Sequence, residues 1–284
     1  MLTRMTQPGS PAPAAPPPGP LASPTAWNLV AEGYVTDNMT HFERYARDAL
    51  LLAQLAPGAR VLDVACGPGT LAFLAARTAA HVDAIDFSPA MIAHLRARLA
   101  SERVDNIDAR EGDGQALPYA DGSFDAAFSM FGLMFFPDRA RGFAELRRVL
   151  RPGGRAVVSS WKPMNDAPLV ATLFGAIAEQ FPGMPRPADK GPLTDPDELR
   201  AELAAAGFRD VAVESTMHAV EWPDLDSCWA SVSRGFAPLV LMKDKLGSAA
   251  FAPAAAAIRA RLGQKLGPGP GRSEMPAWLG VGTA

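Results

Sequence analysis

Between residues 60 and 161 the chain alternates five times between apolar runs of strand length and segments with helical spacing. The first run, residues 61–65, breaks into Gly67-Pro68-Gly69, and residues 70–77 read as a helix. Residues 81–86 read as a second strand ending in Asp86. Ser88-Pro89 then opens a helix, serine as N-cap and proline in the first turn. A short segment at 106–111 and a fourth strand at 124–129 follow. Residues 138–150 carry Phe143, Leu146, Val149 and Leu150 on one stripe, and a Pro-Gly-Gly turn leads into a fifth strand. Such alternation predicts a parallel sheet covered on both faces.

The flanks are helical in pattern. Residues 37–55 place Met39, Phe42, Ala46, Ala49, Leu50 and Ala53 at helical spacing, and Pro57-Gly58 stops the run. Residues 168–181 predict another apolar helix and 182–192 a loop. Asp195-Pro196-Asp197-Glu198 opens a helix with a capping-box pattern, which Gly207 ends. Strands are expected within 208–221 and over 274–282. Between them, residues 222–267 hold a strongly apolar stretch around Trp229 and Phe236 and a second helix over 249–266. This insertion reads as a helical cap that forms an acceptor pocket. Packing on the sheet or a dimer interface are the other readings.

Composition narrows the function. The 284 residues are 48% hydrophobic and carry a net charge of −3, without the clustered Lys/Arg that phosphate binding needs. Cys66 and Cys228 give no disulfide framework, and no Cys/His spacing suggests zinc. No apolar stretch is long enough to span a membrane, so a cytoplasmic protein is expected. Residues 1–24, rich in Pro, Ala, Gly and Ser, read as a disordered tail. Residues 25–57 then form an N-terminal helical lid, 58–221 a core, 222–267 the insertion and 268–284 a final strand.

Strand, Gly-rich turn and helix bring backbone close to a nucleotide-like ligand, and an acid at the end of the second strand can accept hydrogen bonds from both ribose hydroxyls. With these features come VLDVACGPGT, VDAIDFSPAMI, EGDGQALPYADGSFDAAFS and ELRRVLRPGGRAVVSSW, four motifs in register. Together they resemble the class I S-adenosylmethionine-dependent methyltransferases, in the small-molecule branch that includes the ubiquinone/menaquinone C-methyltransferases. The resemblance covers roughly residues 27–221. It implies a doubly wound, Rossmann-like α/β fold with a seven-stranded sheet, whose last strand runs antiparallel between the fifth and sixth.

The resemblance also implies roles. Asp63, Ala65, Gly67 and Gly69 would serve the amino-acid end of S-adenosylmethionine, and Asp86 its ribose. Phe87 and Met91 would sandwich the adenine. Asp113 would accept from the adenine amine, with Gly114 and Gln115 offering backbone N–H groups to the ring. Ser129 would meet the methionine amine through its carbonyl. Tyr34 and His41, from the lid, and Trp229 and Phe236, from the cap, are the candidate acceptor-site residues. The catalytic base stays open, and no metal is expected.

Residues 129–133, Ser-Met-Phe-Gly-Leu, lack the Asn/Asp-Pro-Pro-aromatic motif of base and amide N-methyltransferases. Phe-Gly-Leu is similar to the quinone enzymes, but Met134-Phe135 replaces their Arg-Asn. The implied reaction is methyl transfer to carbon or oxygen of a small, largely apolar acceptor of quinol, phenol or other secondary-metabolite type. Gly67-x-Gly69-x-x-Ala72 also matches a dinucleotide pattern, so a nicotinamide oxidoreductase is one alternative. A methyltransferase-like binding subunit without turnover is the other.

Overall fold

The computed structural model describes residues 19–183 and 191–284. The expected tail lies outside these up to residue 18, as does most of the loop expected over 182–192.

Chain order is α1 (Pro24–Gly33), a π-helical turn (Tyr34–Asn38), α2 (Met39–Ala53), β1 (Arg60–Val64), α3 (Thr70–Ala75), β2 (His81–Asp86) and α4 (Pro89–Glu102). Then come β3 (Ile107–Glu111), β4 (Phe124–Ser129), α5 (Arg139–Val149), β5 (Leu150–Trp161), α6 (Pro168–Gln180), α7 (Pro196–Ala205) and β6 (Arg209–Trp222). The chain closes with α8 (Leu225–Gly235), α9 (Ala237–Leu246), α10 (Ser248–Leu266) and β7 (Gly271–Thr283).

The seven strands lie in the order β3-β2-β1-β4-β5-β7-β6. β1 to β5 pair in parallel, and β7 runs antiparallel between β5 and β6, as expected. Residues alternate between the two faces. Val61, Val82, Phe128 and Val157 pack under α2, α3 and α4, while Leu62, Ile85, Ala127 and Val158 pack under α5 and α7. The crevice at the carboxyl ends of β1, β2 and β4 therefore opens where the strand order reverses, the place such sheets reserve for ligands.

The N-terminal helix begins earlier than the apolar spacing predicts. Pro24 occupies its first turn and the Ser23 hydroxyl accepts from the Thr25 N–H. Residues 20–22 form a 3-10 turn, and the Leu21 carbonyl accepts from Trp27 Nε1 at 2.9 Å. The 222–267 segment folds as three helices, since the apolar stretch breaks between Gly235 and Ala237. With α6 they enclose an apolar core of their own, containing Leu169, Leu173, Trp222, Leu239, Phe251 and Ile258. Among the described residues no helix is long and apolar enough to cross a membrane.

Candidate active site

β1 ends in a turn that only unusual backbone can make. Ala65, Gly67 and Gly69 all have positive φ, at 56°, 55° and 86°. A Cβ on Gly69 would come within 2.5 Å of Leu95 Cδ1, so glycine is required there on both counts. Two carboxylates hold the turn. Asp63 Oδ2 accepts from the Ala72 N–H at 3.1 Å. Asp86 accepts from the Gly67 N–H through Oδ2 and the Ser88 N–H through Oδ1, both at 2.8 Å. A carboxylate offers about four lone-pair positions, so each Asp86 oxygen keeps one for a hydroxyl in the crevice.

Both acids are buried, and among the described residues no cation pairs with either. Burial pushes Asp63 up to about 8, against the opposing Ala72 N–H and with added repulsion from Asp86. Burial also raises Asp86 to about 6, partly offset by the Ser88 and Gly67 N–H groups. Two acids short of a counter-ion favour a positively charged ligand. The Cys66 thiol in the same turn is raised, by burial above all, and so is no nucleophile.

The π-helical turn lays Tyr34 over this crevice. Tyr34, Phe42, Asp63, Gly67, Thr70 and Met130 line a cavity of about 40 Å³, room for about three waters. The Tyr34 phenol is raised far above its ordinary value, by burial first and then by Asp86 and Asp63. Thr70 Oγ1, in this lining, and Ser129 Oγ, at the end of β4, are buried without a hydrogen-bond partner. Such groups cost about 1–3 kcal/mol each unless something satisfies them. Orphaned hydroxyls, uncompensated acids and the positive-φ turn together fit a nucleoside with a charged amino-acid arm. Asp63, Gly67, Thr70 and Ser129 would hold the arm, and Asp86 the ribose.

The expected adenine side is less open. Met91 is buried beneath α1 with Val30, Ala31 and Ala237, while Phe87 is half-buried. Asp113 is exposed, and its Oδ1 accepts from the Gln115 N–H at 2.8 Å and from Gln115 Nε2 at 3.1 Å. The Gln115 N–H is thus spent on this local turn rather than offered to a ring, contrary to the expectation from sequence. Gln115 Oε1 accepts from the Asp138 N–H, and Gly114 is packed so closely that a Cβ would lie 2.5 Å from Phe136 Cζ.

Of the four expected acceptor-site residues, only Tyr34 lines the cavity. His41 packs edge-on to Tyr45 and Phe42 with neither ring nitrogen hydrogen-bonded. Burial first, then Arg44 and His218, lowers it to about 4, so it is neutral at pH 7. Trp229 and Phe236 pack half-buried against the apolar core of the insertion, Phe236 against Phe174 at 5.3 Å. Apolar mates from α6 hold them in that core, and neither lines the cavity.

Sequence reasoning missed an aromatic wall. Phe131 and Trp161 stack at 3.9 Å, and Phe42 meets both rings edge-on at 5.3 and 5.9 Å. Phe131 has φ of 56°, fixed by its N–H donating to Ser159 Oγ at 2.8 Å. The only signal in sequence was an aromatic residue just beyond each of two strands' apolar runs.

Comparison with known proteins agrees with this geometry. A family model described as a methyltransferase domain matches residues 61–154. Over 181 residues the chain is 35% identical to a demethylmenaquinone methyltransferase of Thermus thermophilus, covering 58% of this chain and 81% of that protein. The chain belongs to the class I S-adenosylmethionine-dependent methyltransferases. The chain is also 43% identical to an uncharacterized protein of Mycobacterium tuberculosis over 109 residues, 38% of this chain. That match spans only 39% of the mycobacterial protein's length. The fold is that of the Bacillus subtilis YcgJ protein, with a TM-score of 0.59 at 18% identity over 84% of this chain and 97% of that one.

Proposed function

We propose that this methyltransferase binds S-adenosylmethionine in the crevice above β1, β2 and β4 and passes its methyl group to carbon or oxygen of a small, largely apolar acceptor. The observation that carries the reading is the pair of buried acids, Asp63 and Asp86, with no cation partner among the described residues, beside a wall of stacked aromatic rings. The cofactor's sulfonium supplies an electrophilic methyl and its own leaving group, so the protein's task is alignment and exclusion of water. Asp86 fixes the ribose end, Asp63 and the turn fix the amino-acid end, and Tyr34 covers the crevice. Phe42, Phe131 and Trp161 give an acceptor ring an apolar surface to lie on.

The relative from Thermus thermophilus is described as a demethylmenaquinone methyltransferase, and a quinol is accordingly the first acceptor to test. Met134 is buried in the sheet core and Phe135 packs on Trp27, so the departure from Arg-Asn lies outside the cavity lining. Calorimetric titration with S-adenosylmethionine and, separately, nicotinamide cofactors tests the binding step, and selective binding of the nicotinamide would overturn the reading. Screening quinols, phenols, carboxylates and polyketide-like compounds with methyl-labelled cofactor then identifies the acceptor. Cofactor binding without transfer to any of them would favour a non-catalytic subunit.

A further inference from the structure

The N-terminal segment is anchored on both sides of the crevice. On the adenosine side, Asn28 Oδ1 accepts from Ser88 Oγ at 2.7 Å and from the Ala90 N–H at 3.3 Å. On the far side, Arg44 Nη1 donates to the Ala219 carbonyl at 3.1 Å, and the Tyr45 hydroxyl donates to the Met275 carbonyl. Between these anchors the helix widens into the π-helical turn that carries Tyr34. Single π turns within helices occur frequently at functional sites.

That turn is fastened to the insertion. Arg234, at the end of α8, donates to Asp37 through Nε to Oδ2 at 3.0 Å and Nη2 to Oδ1 at 2.9 Å. The pair is bidentate, with the Asp37 side chain 14% and that of Arg234 50% exposed. Two glycines allow the close approach around it. A Cβ on Gly33 would lie 2.4 Å from the Arg234 carbonyl oxygen, and one on Gly235 would lie 2.8 Å from Asn38 Nδ2. The contact is fitted, not incidental.

Tyr34, carried by this turn, lines the cavity beside Asp63 and Gly67, so the seating of the turn governs access to the crevice. We infer that Arg234 is a positioning residue: through Asp37 it latches the Tyr34 turn over the crevice, so that the insertion sets how fast the cofactor is admitted and released. This rests on the cofactor reading above.

The test compares Arg234→Ala, Arg234→Lys, Asp37→Asn and the Asp37→Arg/Arg234→Asp exchange with the parent protein, with melting temperature confirming that each is folded. Amide exchange over residues 34–42 is followed without ligand, and S-adenosylmethionine association and dissociation by stopped-flow fluorescence. Loss of this half-exposed bidentate pair should speed exchange and raise both rate constants about three- to fivefold, leaving affinity within about twofold. Arg234→Lys should fall between, and the charge exchange should restore slow rates. A purely structural contact would instead raise dissociation alone. That result, or exchange and rates within twofold of the parent in a folded variant, overturns the latch. If the parent binds no S-adenosylmethionine, the cofactor reading fails, while amide exchange still decides whether the pair holds the turn. Should Arg234→Ala not fold, Arg234→Lys and Asp37→Asn carry the same comparison.

Discussion

The Gly67 N–H donates to Asp86 Oδ2 at 2.8 Å, so the acid assigned to the ribose is also the brace of the glycine turn. Asp86→Ala therefore has two expected effects. Two hydroxyl bonds to a charged acceptor contribute roughly 2–4 kcal/mol, so cofactor affinity should fall about 30- to 1000-fold. The Gly67 and Ser88 N–H groups also lose their acceptor, so the melting temperature should fall. Calorimetry and thermal unfolding on the same variant separate the two effects, and unchanged affinity would remove the ribose role.

The buried acids predict a pH signature. Asp63 and Asp86 rise from an ordinary value of 3.8 to about 8 and about 6. The folded protein thus holds protons that the unfolded chain has already released. Their contribution to stability is present at low pH and is lost as pH rises, through about 6 for Asp86 and about 8 for Asp63. Relative to Asp63→Asn, the parent should gain up to about 1.4 kcal/mol per pH unit on acidification from pH 8 toward 5. A cationic ligand favours the ionised acid, so its binding should release a proton and tighten from pH 6 to 8. Titration in two buffers of different ionisation enthalpy reads that proton, and equal heats would contradict it.

Turnover should not respond to divalent metal. The cofactor's sulfonium needs no Lewis acid. Among the described residues the one cluster of metal-ligating type, His81, Asp83 and Asp108, lies at the starts of β2 and β3, at the opposite end of the strands from the crevice. Arg60 already pairs with Asp83 at 3.1 Å. Chelation that abolishes transfer, with recovery on adding Mg²⁺, would show a metal-assisted acceptor site.

The features legible in sequence were those written locally. β1, β2 and β4 lie within a residue or so of their apolar runs, because strands buried on both faces need unbroken apolar side chains. The antiparallel place of β7 came from the family resemblance, but its length did not: it starts at Gly271, and Pro276, Gly280 and Gly282 interrupt its strand pattern. Ser23-Pro24 was a readable helix start, but the weak apolar spacing before residue 37 hid it. The aromatic wall was invisible because it joins residues from α2, the loop after β4 and the end of β5, which only the folded sheet brings together. The Asp37–Arg234 pair spans 197 positions and has no local pattern at all.

The last prediction separates the aromatic wall from the insertion core. Phe131 is buried and stacked on Trp161, so Phe131→Ala should cost about 3–5 kcal/mol of stability by opening a cavity. Phe131→Leu keeps most of the volume and removes the ring. If Phe131 supports the acceptor, Phe131→Leu should raise the acceptor KM severalfold and leave cofactor affinity unchanged, since the contacts of Asp86 lie on another strand end. Phe236→Asp should behave differently. Sequence reasoning assigned Phe236 to the acceptor pocket, which predicts loss of turnover alone. Packed against Phe174 and the insertion core, a carboxylate at 236 should instead lower the melting temperature and reduce cofactor binding and turnover together. Steady-state kinetics, cofactor affinity and thermal unfolding measured on both variants decide the matter. A folded Phe236→Asp protein that binds cofactor yet transfers no methyl would return the insertion to the acceptor site, and a Phe131→Leu enzyme with an unchanged acceptor KM would remove the wall from it.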